Sequence, residues 1–195
     1  MSGVGRARLR VGVAGCGTLG GAVARALVAK AVVGARLAAV YDRDPEAARR
    51  LAGNLPGVRC VTRPDLLARA CDLMVESAGI PAVSGLARAA LAGGCDLLVM
   101  SVGALLARPG LARRFARRGR ALYIPSGAVA GLDGLRSAAR GGLTRVRLTT
   151  RKPPQSLAGA AKGGRARLVF SGTAREAVRR FPRNMNVAAA VALAG

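Results

Sequence analysis

The chain has 195 residues, enough for one large domain or two small ones with a sizeable core. It is 51% hydrophobic but only 3% aromatic, so that core has to be built from alanine, valine and leucine. The formal net charge is +23, from 32 basic residues, 29 of them arginine, against nine acids. The arginines are scattered along polar helix faces such as Ala47–Arg50 and Leu111–Arg120, with no interleaved aromatics and no recognition motif. The charge therefore reads as a solvated basic surface rather than a nucleic-acid-binding face. Cys16, Cys60, Cys71 and Cys95 form no Cys-x-x-Cys pair, and without a histidine they offer no zinc site, so each reads as a buried, reduced thiol. The first ten residues lack a secretory apolar stretch, and Val11–Ala24 is too short and glycine-rich to span a bilayer. A cytoplasmic protein without a membrane partner is the expectation.

The short apolar run Leu9–Ala14 predicts a buried strand, and an Ala/Val/Leu helical pattern follows through Ala29. Between them Gly15-Cys16-Gly17-Thr18-Leu19-Gly20 has the Gly-x-Gly-x-x-Gly spacing. Gly15 permits the tight turn, Gly17 lets backbone approach a pyrophosphate, and Gly20 lets helix and strand pack closely. The helix start, at Thr18 and Leu19, presents free N–H groups and a positive dipole end to that pyrophosphate. The second strand, Arg36–Tyr41, ends in Asp42, where an acid can take the ribose 2′-hydroxyl of NAD, while adjacent Arg43 can meet the 2′-phosphate of NADP. Both cofactors stay open.

Asp44, Pro45 and Glu46 predict a capped helix running to about Ala52. Strands follow at Val58–Val61, Leu73–Glu76, Asp96–Met100 and Ala121–Ile124, and helices at Asp65–Ala70, Pro81–Ala92 and Pro109–Arg118. This alternation predicts an α/β protein with a doubly wound, parallel, Rossmann-type sheet over residues 1–125. Ligands of such sheets sit outside the carboxyl ends of the strands, which here carry Ala78 and Gly79, Ser101, and Ser126–Ala128. Glu76 is the one acid near that crevice and is expected to hold a loop by hydrogen bonds rather than move a proton. Residues 126–195 predict a smaller, incomplete α+β domain, with a helix to Ala139, strands at Thr144–Thr150 and Arg167–Phe170, and helices at Thr173–Arg180 and Asn184–Ala194. Two strands are too few for a finished sheet.

Four segments carry a resemblance: Pro125-Ser126-Gly127-Ala128-Val129-Ala130-Gly131-Leu132-Asp133, Leu148-Thr149-Thr150-Arg151-Lys152-Pro153-Pro154, Phe170–Ala177 and Phe181–Ala189. In order and spacing they resemble the L-aspartate dehydrogenase family, and Val75–Ala78 and Ser101–Ala104 fit as well. The resemblance implies a homodimeric, cytoplasmic enzyme that uses NAD or NADP to oxidise L-aspartate to iminoaspartate. That product hydrolyses to oxaloacetate and ammonia or feeds NAD biosynthesis. The rival readings are another amino-acid dehydrogenase of this plan and a dinucleotide-binding protein without catalysis.

By the resemblance, Ala128 lies beside the nicotinamide and Asn186 contacts the carboxamide or the substrate, completing the cofactor set of Gly15, Gly17, Thr18, Leu19, Gly20, Asp42, Arg43, Ala78, Gly79 and Ser101. The candidate substrate contacts are Ser126, Arg151, Lys152 and Asn184. Arg151 and Lys152 either pair with the two carboxylates of L-aspartate or end a solvated strand; Asn184 is also the natural helix cap. The family's catalytic histidine belongs to an Asn-x-His segment that these 195 residues lack, so no catalytic residue is assigned. The expectation is an aspartate dehydrogenase missing its C-terminal part.

Overall fold

The computed structural model describes residues 8–127, 129–153, 166–181 and 185–195. In chain order these form β1 (Leu9–Ala14), α1 (Thr18–Val28), β2 (Ala35–Tyr41), α2 (Pro45–Gly53), β3 (Arg59–Cys60), α3 (Pro64–Ala70) and β4 (Leu73–Glu76). After a single 3-10 turn at Ile80–Ala82 come α4 (Val83–Gly93), β5 (Asp96–Val99), α5 (Gly103–Leu106), α6 (Leu111–Ala116) and β6 (Leu122–Tyr123). The helices α7 (Leu132–Arg140), α8 (Ala174–Arg180) and α9 (Asn186–Ala194) follow. Two compact units result. One holds the described residues up to Ser101 with Gly110–Pro125; the other holds Val102–Pro109 with the described residues from Ser126 onward.

In the first unit all six strands run parallel in the order β3-β2-β1-β4-β5-β6. The chain moves from β1 out to β3, returns to the other side of β1 as β4, and then moves outward again. That reversal is the topological switch point, where ligand crevices of such sheets open. Register lines up the strand ends: Ala14 pairs with Tyr41 and with Glu76, and Glu76 pairs with Val99. Residues just beyond those positions therefore leave the sheet along one edge.

Aliphatic side chains fill both faces, as the composition demands. Val13, Ala24, Val40, Leu51 and Leu55 form one cluster, and Val11, Leu27 and Val75 another. Phe115, Leu67, Met74 and Leu97 are the largest fully buried side chains. Local chemistry sets the helix starts. Asp44 accepts a 3.0 Å hydrogen bond from the Glu46 N–H with Pro45 in the first turn, and Thr173 and Glu176 form a capping box on α8. At the opposite edge, Asp72 at the start of β4 takes the Arg10 backbone N–H at 2.8 Å and its guanidinium at 2.6 Å, which holds the Asp72 carboxyl below the usual range. Cys16 is partly buried and Cys71 and Cys95 fully so, but Cys60 on the two-residue β3 is exposed, against expectation. An edge strand this short leaves its side chain uncovered.

The second unit packs α5, α7 and α8 around α9, burying Ala104, Leu105, Leu132, Ala177, Ala189 and Ala190. The strands expected at 144–150 and 167–170 do not form among the described residues. Val146, Leu148, Leu168 and Val169 are exposed instead. Alternation marks a segment able to form a strand, but a ladder needs a partner, and none is present among the described residues. Short α5, by contrast, has no sequence signature, because four residues are too few to show a periodicity. No helix among the described residues is long and apolar enough to cross a membrane.

Close packing of α1 on β1 has a measurable consequence. A Cβ at Gly20 would lie 1.8 Å from the Gly15 carbonyl oxygen and 2.6 Å from the Ser77 hydroxyl, whereas one at Gly85 in α4 meets nothing within 4 Å. Gly20→Ala is expected to cost about 3 kcal/mol in urea unfolding. Gly85→Ala should be neutral or stabilise by up to about 1 kcal/mol.

Candidate functional site

The turn after β1 is fixed from two sides. The Gly15 N–H donates to the Tyr41 carbonyl at 2.8 Å, and the Ser77 hydroxyl reaches the Gly15 carbonyl at 2.9 Å. Gly15 has φ +99°, and a Cβ there would sit 2.6 Å from the Ser77 backbone, so the turn excludes any side chain. Gly17 differs: a Cβ there meets nothing within 4 Å, so the space it leaves is open to a ligand. Gly17 also precedes α1 without a side-chain cap, leaving the first-turn N–H groups with Gly17, exposed Thr18 and exposed Leu19 at a bare, positive helix end. A pyrophosphate fits this cradle without displacing anything.

Asp42 stands at the end of β2 beside that turn. Its carboxylate accepts the Cys16 N–H at 2.6 Å and the Asp44 N–H at 2.9 Å, so it braces the glycine turn as well as facing the crevice. A carboxylate has about four acceptor positions, which leaves room for ribose hydroxyls. Arg43 next to it is exposed and makes no side-chain hydrogen bond or ion pair among the described residues. Burial, with Asp42 nearby, pushes the Cys16 thiol up to about 12, so it stays protonated and unreactive at neutral pH.

The next two strand ends are held by Glu76, whose side chain is fully buried. Its Oε1 accepts the Ala78 N–H at 2.9 Å, the Gly79 N–H at 2.9 Å and the Ser101 hydroxyl at 2.8 Å. Its Oε2 accepts the Ser101 N–H at 2.9 Å. Ala78, Gly79 and Ser101, singled out from sequence as cofactor contacts, are therefore positioned by one carboxylate. The small side chains keep the backbone close to the crevice.

In the first unit the structure thus brings together Gly15, Gly17, Thr18, Leu19, Gly20, Asp42, Arg43, Ala78, Gly79 and Ser101 along one sheet edge. In the second unit Asn186 opens α9, and its Oδ1 accepts the Gly103 N–H of α5 at 3.3 Å. That contact joins two helices and leaves the amide NH2 to donate; the sequence could not show it because α5 was not legible. Ser126, Arg151 and Lys152 are exposed positions of the second unit, and Ala128 and Asn184 lie outside the described residues. No group of three metal-ligating side chains occurs among the described residues.

A parallel doubly wound sheet with a bare glycine-rich helix start at its switch point defines a dinucleotide-binding protein of the dehydrogenase type. The model of the homoserine dehydrogenase NAD-binding domain matches residues 15–125, and that of the aspartate dehydrogenase C-terminal region matches residues 133–195. An L-aspartate dehydrogenase of Methanosarcina acetivorans is 40% identical over 96% of this chain and 74% of its own length. One from Methanothermobacter thermautotrophicus is 39% identical over 95% of this chain and 72% of its own. The crystal structure of aspartate dehydrogenase from Thermotoga maritima superposes with a TM-score of 0.68 at 28% identity, covering 95% of this chain and 73% of that one. The fold alone is shared with myo-inositol dehydrogenase of Lactobacillus casei, at a TM-score of 0.56 and 19% identity over 42% of that chain. This chain belongs to the L-aspartate dehydrogenase family.

Replacing Glu76 tests the bracing. Glu76→Gln puts an NH2 among four donors, and the expected loss is about 3 kcal/mol of stability. Amide hydrogen exchange at Ala78, Gly79 and Ser101 should quicken well beyond that at Val13 and Val40 in the sheet.

Proposed function

We propose that this protein is an NAD(P)-dependent oxidoreductase that converts L-aspartate to iminoaspartate, which hydrolyses to oxaloacetate and ammonia. The observation that carries the reading is the uncapped, unobstructed helix start at Gly17, flanked by Asp42 and the Glu76-braced loops. Family membership supports L-aspartate as the amino acid. NAD(P), when bound, would supply the hydride acceptor, and the chain's own residues would bind and orient it. The α1 N-terminus takes the pyrophosphate, Asp42 the adenosine ribose, and Arg43 a 2′-phosphate. Asn186, anchored through its Oδ1, turns its NH2 to the carboxamide or the substrate. Arg151 and Lys152 provide charge-assisted donors for two carboxylates, with Ser126 and Asn184 as further contacts. Ala128 lies beside the nicotinamide in this reading. The product suits a step that condenses iminoaspartate into NAD biosynthesis, and the working form is a homodimer in the cytoplasm.

The same helix start favours a second reading, a dinucleotide-binding protein without turnover, because the cradle at Gly17 by itself holds a cofactor and moves no proton. Separate measurements of binding and turnover decide between the two. L-aspartate-dependent growth of NAD(P)H absorbance supports the dehydrogenase; saturable dinucleotide binding with no such signal supports the second reading.

Gly17→Ala should raise the dinucleotide Kd at least about tenfold while changing unfolding free energy by less than about 1 kcal/mol, because its Cβ meets only the ligand. Arg43→Ala should weaken NADP by about five- to tenfold and NAD by less than about twofold in parallel fluorescence titrations.

A further inference from the structure

The first unit carries a second anion-sized feature, away from the glycine turn. Helix α4 links β4 to β5, and α6 lies in the connection from β5 to β6. Two right-handed crossovers moving the same way across a sheet place both helices on one face. Between them lies a groove of about 390 Å³, lined by Arg88, Leu91 and Ala92 of α4 and by Arg114, Arg117 and Arg118 at and beyond the end of α6. These residues belong to the C-terminal halves of helices that run against the strands. They therefore sit toward the amino ends of β5 and β6, opposite the edge that carries Gly15, Asp42 and Ser101.

No acid lines this groove. The ion pairs formed among the described residues use other arginines: Arg10 with Asp72, Arg49 with Glu46, Arg50 with Asp44 and Arg63 with Asp65. Arg88, Arg114, Arg117 and Arg118 are exposed, and none makes an ion pair or side-chain hydrogen bond with the described residues. The two helix ends contribute about half a negative charge each, which offsets only about one of the four positive charges. Four like charges converge on one concavity, and the described protein does not neutralise them.

We infer that this groove is a binding site for an oligophosphate, a linear run of phosphates free or as the tail of a nucleotide. Guanidinium forks match phosphate oxygens bidentately, and four of them suit a ligand with several adjacent charges better than a dicarboxylate with two. The volume is that of a site for one small molecule. The wall is Leu91 and Ala92 with no aromatic ring, so no platform for stacked bases is present and the charge alone is recognised.

The test is a calorimetric titration of the full chain with inorganic tripolyphosphate at about 0.15 M salt, where long-range attraction is screened. Saturable binding at one site is expected. The double variant Arg114→Gln/Arg117→Gln should weaken it at least about tenfold. A charge-matched control on exposed positions of α7, Arg136→Gln/Arg140→Gln, should weaken it less than about twofold. Neither pair should change dinucleotide affinity, which separates this site from the glycine turn whatever the outcome there. Adenosine triphosphate binding weakened by the Arg114→Gln/Arg117→Gln pair as tripolyphosphate binding is shows that a nucleotide tail enters the groove, and adenosine triphosphate binding indifferent to that pair leaves the groove to free oligophosphate; both support the inference. Equal weakening by the two variant pairs, or absence of saturable binding, overturns it. So does a single-stranded oligonucleotide that displaces tripolyphosphate and binds more tightly, which would make the groove part of a nucleic-acid track.

Discussion

A carboxylate cut off from water destabilises a fold by several kcal/mol unless neighbouring donors replace the lost hydration. Glu76 meets that requirement with three backbone N–H groups and one hydroxyl, all within 2.9 Å. The donors come from the loops after β4 and β5, so satisfying the charge fixes both loops at once. Because β4 lies next to β1, the braced backbone presses on the glycine turn: Ser77 packs against Gly15 and hydrogen-bonds its carbonyl. On the other side Asp42 does the same work from β2, through the Cys16 N–H. Two acids, one buried and one at the crevice, thus hold a ligand-binding edge built almost wholly from backbone and small side chains.

The three glycines of the turn serve different physical ends, and the geometry separates them. At Gly15 and Gly20 the backbone itself is crowded, and the missing side chain is a requirement of the fold. At Gly17 the space is empty, so the missing side chain serves only what binds. Like α4 and α7, α1 has no side-chain cap, and at α1 the bare end adjoins the open space at Gly17. A side chain that satisfied the first-turn N–H groups would compete with an anion for them.

Much of this was legible in the sequence, because the signals are local. The Gly-x-Gly-x-x-Gly spacing, Asp44 before Pro45, and apolar strand runs alternating with helices each depend on a few neighbouring residues. What was not legible depends on partners distant in sequence. Glu76 finds Ser101 across 25 positions, and Asn186 finds Gly103 across 83. The second task of Asp42, bracing Cys16, likewise exists only once β1 and β2 are side by side. The alternation at Thr144–Thr150 failed for the converse reason. It reports a segment fit for a ladder, and says nothing of whether a ladder partner is at hand.

The surplus of arginine takes on structure when its positions are compared. Where acids are available, at Asp44, Glu46, Asp65 and Asp72, guanidinia pair with them on the surface. Such exposed pairs contribute little stability, so their main effect is to tie up charge locally. The arginines around the α4–α6 groove have no such neighbour, and their repulsion is relieved by counterions or by a ligand. The two edges of one sheet therefore present opposite solutions to holding an anion. At the carboxyl edge neutral N–H groups and a helix dipole are fixed in place, which rewards one geometry. At the amino edge full charges sit on flexible stems, which rewards charge density and tolerates variation in shape.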